Sequence, residues 1–137
     1  MIRIAIIGDI GSGKTHISKF FNYPVFNADK EVVDIYKTDK NCFKKIKKII
    51  PNFFYKFPLK KKELIKAILF NETNIKKISK IVHPIVRKKM NLFLNKNKNK
   101  RFIVLDIPLF FENKMNHKND IIIYVQSKKK DINKRLN

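Results

Sequence analysis

The sequence predicts an α/β fold, a parallel sheet with helices on both faces, interrupted by an all-helical insertion. Three observations carry that reading. Residues 2–7, 101–106 and 120–125 are short, β-branched and almost continuously apolar, as strands buried on both faces are. Most of the long stretch between the first two of these repeats its apolar residues at helical spacing instead. The order of segments, β-α-β-helices-β-β-α, is that of a layered α/β domain. With 137 residues, 44% of them apolar, the chain is long enough for one buried core.

The first strand, residues 2–7, runs into a glycine-rich turn and a short helix over residues 14–22 with Ile17, Phe20 and Phe21 on one side. Pro24, Val25, Phe26 and Asn27 read as a second strand. Residues 28–38 read as a helix whose apolar positions are Val32, Val33, Ile35 and Tyr36. A basic helix over residues 41–50 carries Phe43, Ile46, Ile49 and Ile50, and Pro51 and Pro58 bracket an aromatic loop. Residues 60–70 are expected to be helical, with Leu64, Ile65, Ile68 and Leu69 as the apolar face. The helical period continues through Ile75, Ile78, Ile81, Val82, Ile85 and Val86, where Pro84 is expected to kink the helix or to start a new one. The Lys/Asn tract at residues 95–100 reads as a solvated turn. Strands return at 101–106 and 120–125, and a helix begins at Lys129. The expected organisation is a core from residues 1–30 and 98–137, with the helical insertion over 31–97.

Composition narrows the class of protein. No run of about 18 uncharged apolar residues is present, so no membrane-spanning segment is expected. The first residues lack the basic, apolar and small-residue regions of a signal peptide, and the single cysteine, Cys42, fits a reducing compartment; the cytoplasm is the expected location. The 32 Lys and Arg against 11 Asp and Glu give a net charge of +21. These cations are spread through nearly every segment, in a chain rich in Ile, Lys and Asn, which reads as coding bias. No specific nucleic-acid partner is expected, although such a surface draws in polyanionic small molecules.

Gly8, Asp9, Ile10, Gly11, Ser12, Gly13, Lys14 and Thr15 match the phosphate-loop pattern G-x-x-x-x-G-K-[ST] in full. The glycines let successive backbone N–H groups turn inward around anionic oxygens. The following helix points its positive end at the same place. The lysine reaches the β- and γ-phosphates of a bound nucleotide, and the threonine hydroxyl coordinates Mg²⁺. All 3 glycines of the chain fall in this motif, after a buried strand and before a helix, where the mechanism requires them. ATP and Mg²⁺ are therefore the expected cofactors of a P-loop kinase.

Asp29 follows the second strand, at the end of the sheet where open α/β folds bind ligands. It can take the proton of an attacking hydroxyl, or cap the helix that follows. Asp106, closing the third strand, is where a carboxylate would hold Mg²⁺. His83, before Pro84, sits among apolar helix positions, where a histidine is more often structural than a ligand.

These residues together resemble the dephospho-coenzyme A kinase family over the whole chain. The family's phosphate loop corresponds to residues 11–15, its Asp-Ala-Asp element to Asn27, Ala28 and Asp29, and its Leu-x-Arg segment to residues 59–61 ahead of Leu69 and Phe70. Its His-Pro motif corresponds to His83 and Pro84, and its Asp-x-Pro-Leu-Leu-Phe-Glu to residues 106–112. The resemblance implies transfer of the ATP γ-phosphate to the ribose 3′-hydroxyl of dephospho-coenzyme A. It makes Asp29 the base, places the acceptor on the helical insertion with Lys61 and His83 as contacts, and makes Arg135 the arginine leading toward a lid. Asn27 replaces the first Asp of the family element, Lys61 an arginine, and Ile132 a glutamine. The family continues beyond the position of Asn137 with its lid and last strand, so a truncated chain that binds nucleotide but turns over poorly is expected. The other readings are a P-loop kinase of another small molecule or nucleotide, and a non-catalytic nucleotide- or RNA-binding fragment.

Overall fold

The computed structural model describes residues 1–110 and 113–136. Phe111 and Glu112, the last two positions of the segment beginning at Asp106, lie outside the described residues, as does Asn137. The chain divides into two compact units, one formed by Met1–Asp29 with Leu92–Asn137 and the other by Lys30–Asn91.

The first unit is built on a four-stranded, all-parallel sheet of β1 (Ile2–Gly8), β2 (Val25–Asn27), β3 (Phe102–Asp106) and β4 (Ile121–Val125), in the order β2-β3-β1-β4. Register places Ile6 of β1 opposite Asp106 of β3, and Gly8 opposite Val125 of β4. The carboxyl ends of β1, β3 and β4 therefore open on one rim. Ile4, Ile6, Val104 and Val125 form the centre of the core, with Ile17, Phe21, Val25, Phe102 and Ile123 packed on it. The β-branched runs become strands because both faces of β1 and β3 are removed from water. Helix α1 (Lys14–Phe20) packs on the sheet, and α6 (Lys129–Leu136) follows β4.

One charge is buried in β1. Arg3 pairs its Nε with Asp120 Oδ1 at 2.9 Å, donates from Nη2 to Asp120 Oδ2 at 3.0 Å and to the Met115 carbonyl at 2.7 Å, and meets His117 Nδ1 through Nη1 at 2.8 Å. This network fastens the approach to β4 onto the start of β1. A buried guanidinium is tolerated because its charge is paired with Asp120 and both Nη atoms have hydrogen-bond partners, although Nε, at ion-pair distance from Asp120, makes no aligned hydrogen bond.

The second unit is helical. It contains α3 (Lys40–Ile49), α4 (Lys61–Phe70), most of α2 (Ala28–Thr38) and the greater part of α5 (Thr73–Lys96). Its centre is Ile35, Cys42, Ile46, Phe54 and Ala67, all essentially sealed from solvent. Asp39 caps α3 by accepting from the Cys42 N–H at 2.8 Å. Buried Asn74 donates to the Ala67 carbonyl at 2.8 Å, a second donor on an oxygen that already accepts from the Asn71 N–H at the end of α4. Lys89 of α5 bridges Glu31 and Asp34 of α2 at 3.0 and 2.9 Å.

The element order matches the sequence expectation, and four local differences have physical causes. Helix α1 stops at Phe20, because Asn22 adopts a left-handed conformation (φ 52°) suited to a helix exit. Phe20 is 75% exposed, edge-on to the His16 ring at 5.0 Å, instead of joining Ile17 and Phe21. In α4 the buried residues are Leu64 and Ala67, while Ile65 and Leu69 face water. Pro84 starts no new helix: α5 runs on to Lys96, into the tract expected to be a turn. Ile78, Val82, Val86 and Met90 bury one continuous stripe on both sides of Pro84, which offsets the roughly 3 kcal/mol that an interior proline costs.

Candidate functional site

The site begins with the backbone of the phosphate loop. Gly8 has φ 149°, and a Cβ placed there would lie 2.3 Å from the Val125 carbonyl oxygen, so only glycine lets β4 approach this closely. Gly11 and Gly13 also have positive φ, at 77° and 98°. Gly13 is the N-cap of α1 and makes no side-chain cap, which leaves the first turn of that helix without a side-chain partner of its own. Lys14 folds back over the loop, donating from Nζ to the carbonyls of Gly8 at 2.7 Å and Asp9 at 2.8 Å. A cation hydrogen-bonded to neutral carbonyls is well placed to exchange them for an anion.

Thr15 Oγ1 donates to Asp106 Oδ2 at 2.7 Å, and the Asn27 amide donates to the same oxygen at 2.8 Å. Asp106 is buried at the end of β3. Asn27, which departs from the family element, thus serves as a neutral donor where a second carboxylate would repel Asp106. Hydroxyl and carboxylate oxygens facing each other in this way are the hard donors that a small divalent cation takes.

Asp29 is the second residue of α2, inside the helix, so it is not the N-cap that one sequence reading allowed. Desolvation of its carboxyl, and then the negative charge of Asp106, raise its pKa above the ordinary 3.8, while Lys14 lowers it to a lesser degree. A carboxylate made more basic in this way is suited to accepting a proton.

Gly11, Gly13, Lys14, Thr15, Asp29, Asp106 and Arg135 all line one cavity of about 290 Å³, together with Ile10, His16 and Pro108. Arg135 donates from Nη1 to the Gly11 carbonyl at 2.9 Å and to Ser127 Oγ at 3.2 Å. A second cavity of about 460 Å³ shares Ile10, Lys14 and Pro108 and extends past Gly8 and Asp9 to Leu109, Phe110 and Tyr124. Ser12 lies buried within the loop. Lys61 and His83 belong to the helical unit. Lys61 is the exposed first residue of α4. His83 is exposed in a groove of about 690 Å³ along α5 with Lys76, Ser79, Lys80 and Arg87, so it is not among the buried apolar positions of its helix. Sequence reasoning missed Ser127, His16, Pro108 and the donor role of Asn27. For Ser127 the available signal was its position two residues after the fourth strand, at the same rim as the loop.

Comparison with known proteins gives a consistent result. A family model described as dephospho-CoA kinase matches residues 2–136. A dephospho-CoA kinase of Wolbachia (subspecies Brugia malayi) is 32% identical over 127 residues, 89% of this chain and 65% of the relative. One from Zymomonas mobilis is 30% identical over 115 residues, 82% of this chain and 58% of the relative. The chain thus spans less than two thirds of the length of these relatives. Among solved structures, a Thermus thermophilus protein superposes with a TM-score of 0.75 at 24% identity, covering 98% of this chain and 70% of its own. Dephospho-CoA kinase from Campylobacter jejuni gives 0.59 at 21%, covering 97% and 92%. These structural likenesses show the fold.

Proposed function

The chain belongs to the dephospho-CoA kinase family, and from that premise we propose that it binds MgATP at the phosphate loop and transfers the γ-phosphate to the ribose 3′-hydroxyl of dephospho-coenzyme A. The observation that carries this reading is the convergence of Lys14, Thr15, Asp29, Asp106 and Arg135 on one cavity. Phosphoryl transfer asks a protein for positioning and for charge stabilisation, and these are the groups that supply them.

Lys14 leaves the Gly8 and Asp9 carbonyls for the β- and γ-phosphates. The loop N–H groups donate to the remaining phosphate oxygens. Asp29 takes the proton of the acceptor hydroxyl as its oxygen attacks phosphorus; the bond to the bridging oxygen of ADP breaks, and coenzyme A and ADP leave. Arg135 lies where a cation can offset charge on the transferred group. Thr15 and Asp106 would hold Mg²⁺, which supplies neutralisation of the phosphate oxygens. Mg²⁺ ordinarily takes its other ligands from water and substrate phosphates. Lys61 and His83 are proposed to contact the acceptor's anionic groups, supported by their exposure and, for His83, by the cations lining the α5 groove. The buried free thiol of Cys42 supports a reducing, cytoplasmic setting. Among the described residues, no helix is long and apolar enough to cross a membrane.

The test is ADP release coupled to dephospho-coenzyme A, with nucleosides and nucleoside monophosphates as competing acceptors. The expected result is transfer to dephospho-coenzyme A alone. Preferred transfer to a nucleotide would reassign the acceptor.

A further inference from the structure

We infer that Ser127 is a positioning residue for nucleotide binding, holding the phosphate loop in its anion-accepting shape; this rests on the reading of the loop as the ATP site. Ser127 follows β4 and donates from Oγ to the Ser12 carbonyl at 2.7 Å. The same oxygen accepts from Arg135 Nη1 at 3.2 Å. Its single proton is therefore committed to Ser12, and a lone pair to Arg135.

The consequence follows from peptide geometry. The Ser12–Gly13 bond is trans; among the described residues the cis peptide bond is that between Phe57 and Pro58. In a trans peptide plane the C=O and N–H dipoles point in opposite directions. Pinning the Ser12 carbonyl toward Ser127 therefore turns the Gly13 N–H the other way. Gly13 lines the cavity with Lys14 and Thr15, so on this inference its N–H is the donor turned toward an anion bound there. Ser127 thus sets the direction of a dipole that the nucleotide needs, without touching the nucleotide.

The surroundings make the contact a clamp. Arg135 holds the preceding carbonyl, that of Gly11, at 2.9 Å. The side chains of Leu136 and Ile132 lie 3.2 and 3.3 Å from where a Gly11 Cβ would sit. The Ser12 N–H is already turned to the Asp9 carbonyl at 3.1 Å. Glycines at 11 and 13 make this loop intrinsically free to rotate its peptides. Freedom of that kind weakens anion binding unless something outside the loop removes it. The segment after β4 removes it, with Ser127 as the hydroxyl on which both contacts meet.

The experiment compares Ser127→Ala, Ser127→Thr and Ser127→Val by MgATP calorimetry and by thermal unfolding of the free chain. Thr and Val differ by a hydroxyl against a methyl, so they decide the matter if the alanine variant does not fold. MgATP affinity is expected to fall roughly three- to tenfold in the Ala and Val variants, the worth of one intramolecular hydrogen bond, and to stay within about twofold in the Thr variant. Unfolding midpoints are expected to match between Thr and Val. Equal MgATP affinity for Thr and Val overturns the inference, as does a loss of affinity that follows unfolding temperature. Absence of MgATP binding by the unaltered chain would overturn the nucleotide reading instead.

Discussion

In the sheet unit, polar side chains from separated segments meet at one rim: Lys14 and Thr15 after β1, Asp29 after β2, Asp106 at the end of β3, Ser127 and Arg135 after β4. In the helical unit the two residues of interest, Lys61 and His83, lie on the surfaces of different helices. Lys61 stands exposed at the start of α4, and His83 shares its groove with residues of its own helix. The difference is one of topology. Parallel strands end together, so a short motif after each becomes a neighbour of the others. A helix presents each side chain on its own radius, and a function there depends on which face the packing leaves open.

This contrast can be broken by experiment, and the largest effect belongs to the sheet unit. In a chain extended with a family C-terminal segment, Asp29→Asn is expected to lower kcat by about 10²–10⁴-fold relative to the same chain with Asp29, with MgATP affinity nearly unchanged. A variant that keeps full turnover would remove Asp29 from the chemistry. In the helical unit the pattern is reversed: Lys61→Ala or His83→Ala is expected to raise KM for the acceptor by about three- to tenfold each, as for one lost charge or hydrogen bond. MgATP affinity is expected to stay the same. An effect on MgATP alone would erase the division of labour.

Titration separates the two units further. The Asp29 carboxyl, raised by desolvation and by Asp106, binds its proton at higher pH in the folded chain than in the unfolded one. Its contribution to stability is therefore complete below 3.8 and is lost as pH rises through the raised value. The ionised, proton-accepting form is gained over that same rise. Carboxyl-carbon NMR is expected to show an inflection above 3.8; one at or below it would contradict the crowding of Asp29 by Asp106.

The helical unit's counterpart is inert. Burial, and then the Asp39 carboxylate, push the Cys42 thiol from 9.0 up to about 11. The neutral thiol supports the fold fully below pH 9.0, and this support is lost as pH rises through about 11. Native chain at pH 8 is expected to leave iodoacetamide unreacted over hours and to consume it on unfolding. Rapid native alkylation would show that the α3 core opens.

Legibility in the sequence followed the same division. The glycine-lysine loop and the apolar runs declare themselves, because mechanism restricts residue type at fixed spacing. Asp106 was readable as the carboxylate ending a strand. The hydrogen bonds of Asn27 and Ser127 were not, since each depends on which strands become neighbours, and β3 comes to lie between β2 and β1. In the helices, apolar periodicity showed that a face exists but misplaced it in α4, where Ala67 is buried and Leu69 is 81% exposed. Lys61 was singled out, and His83 given a binding role, only by resemblance, because one lysine among many on helix surfaces carries no signal of its own and a histidine among apolar positions reads as structural.

The central claim is that residues 8–15 are the phosphate site and that Lys14 supplies its cation. Calorimetric titration of MgATP into the unaltered chain and into Lys14→Ala tests it most directly. Lys14 now spends its charge on two loop carbonyls, and a charged hydrogen bond is worth about 1.5–3 kcal/mol, so affinity should fall by about 10–100-fold. Equal affinity for the two chains would place the nucleotide elsewhere and contradict the account.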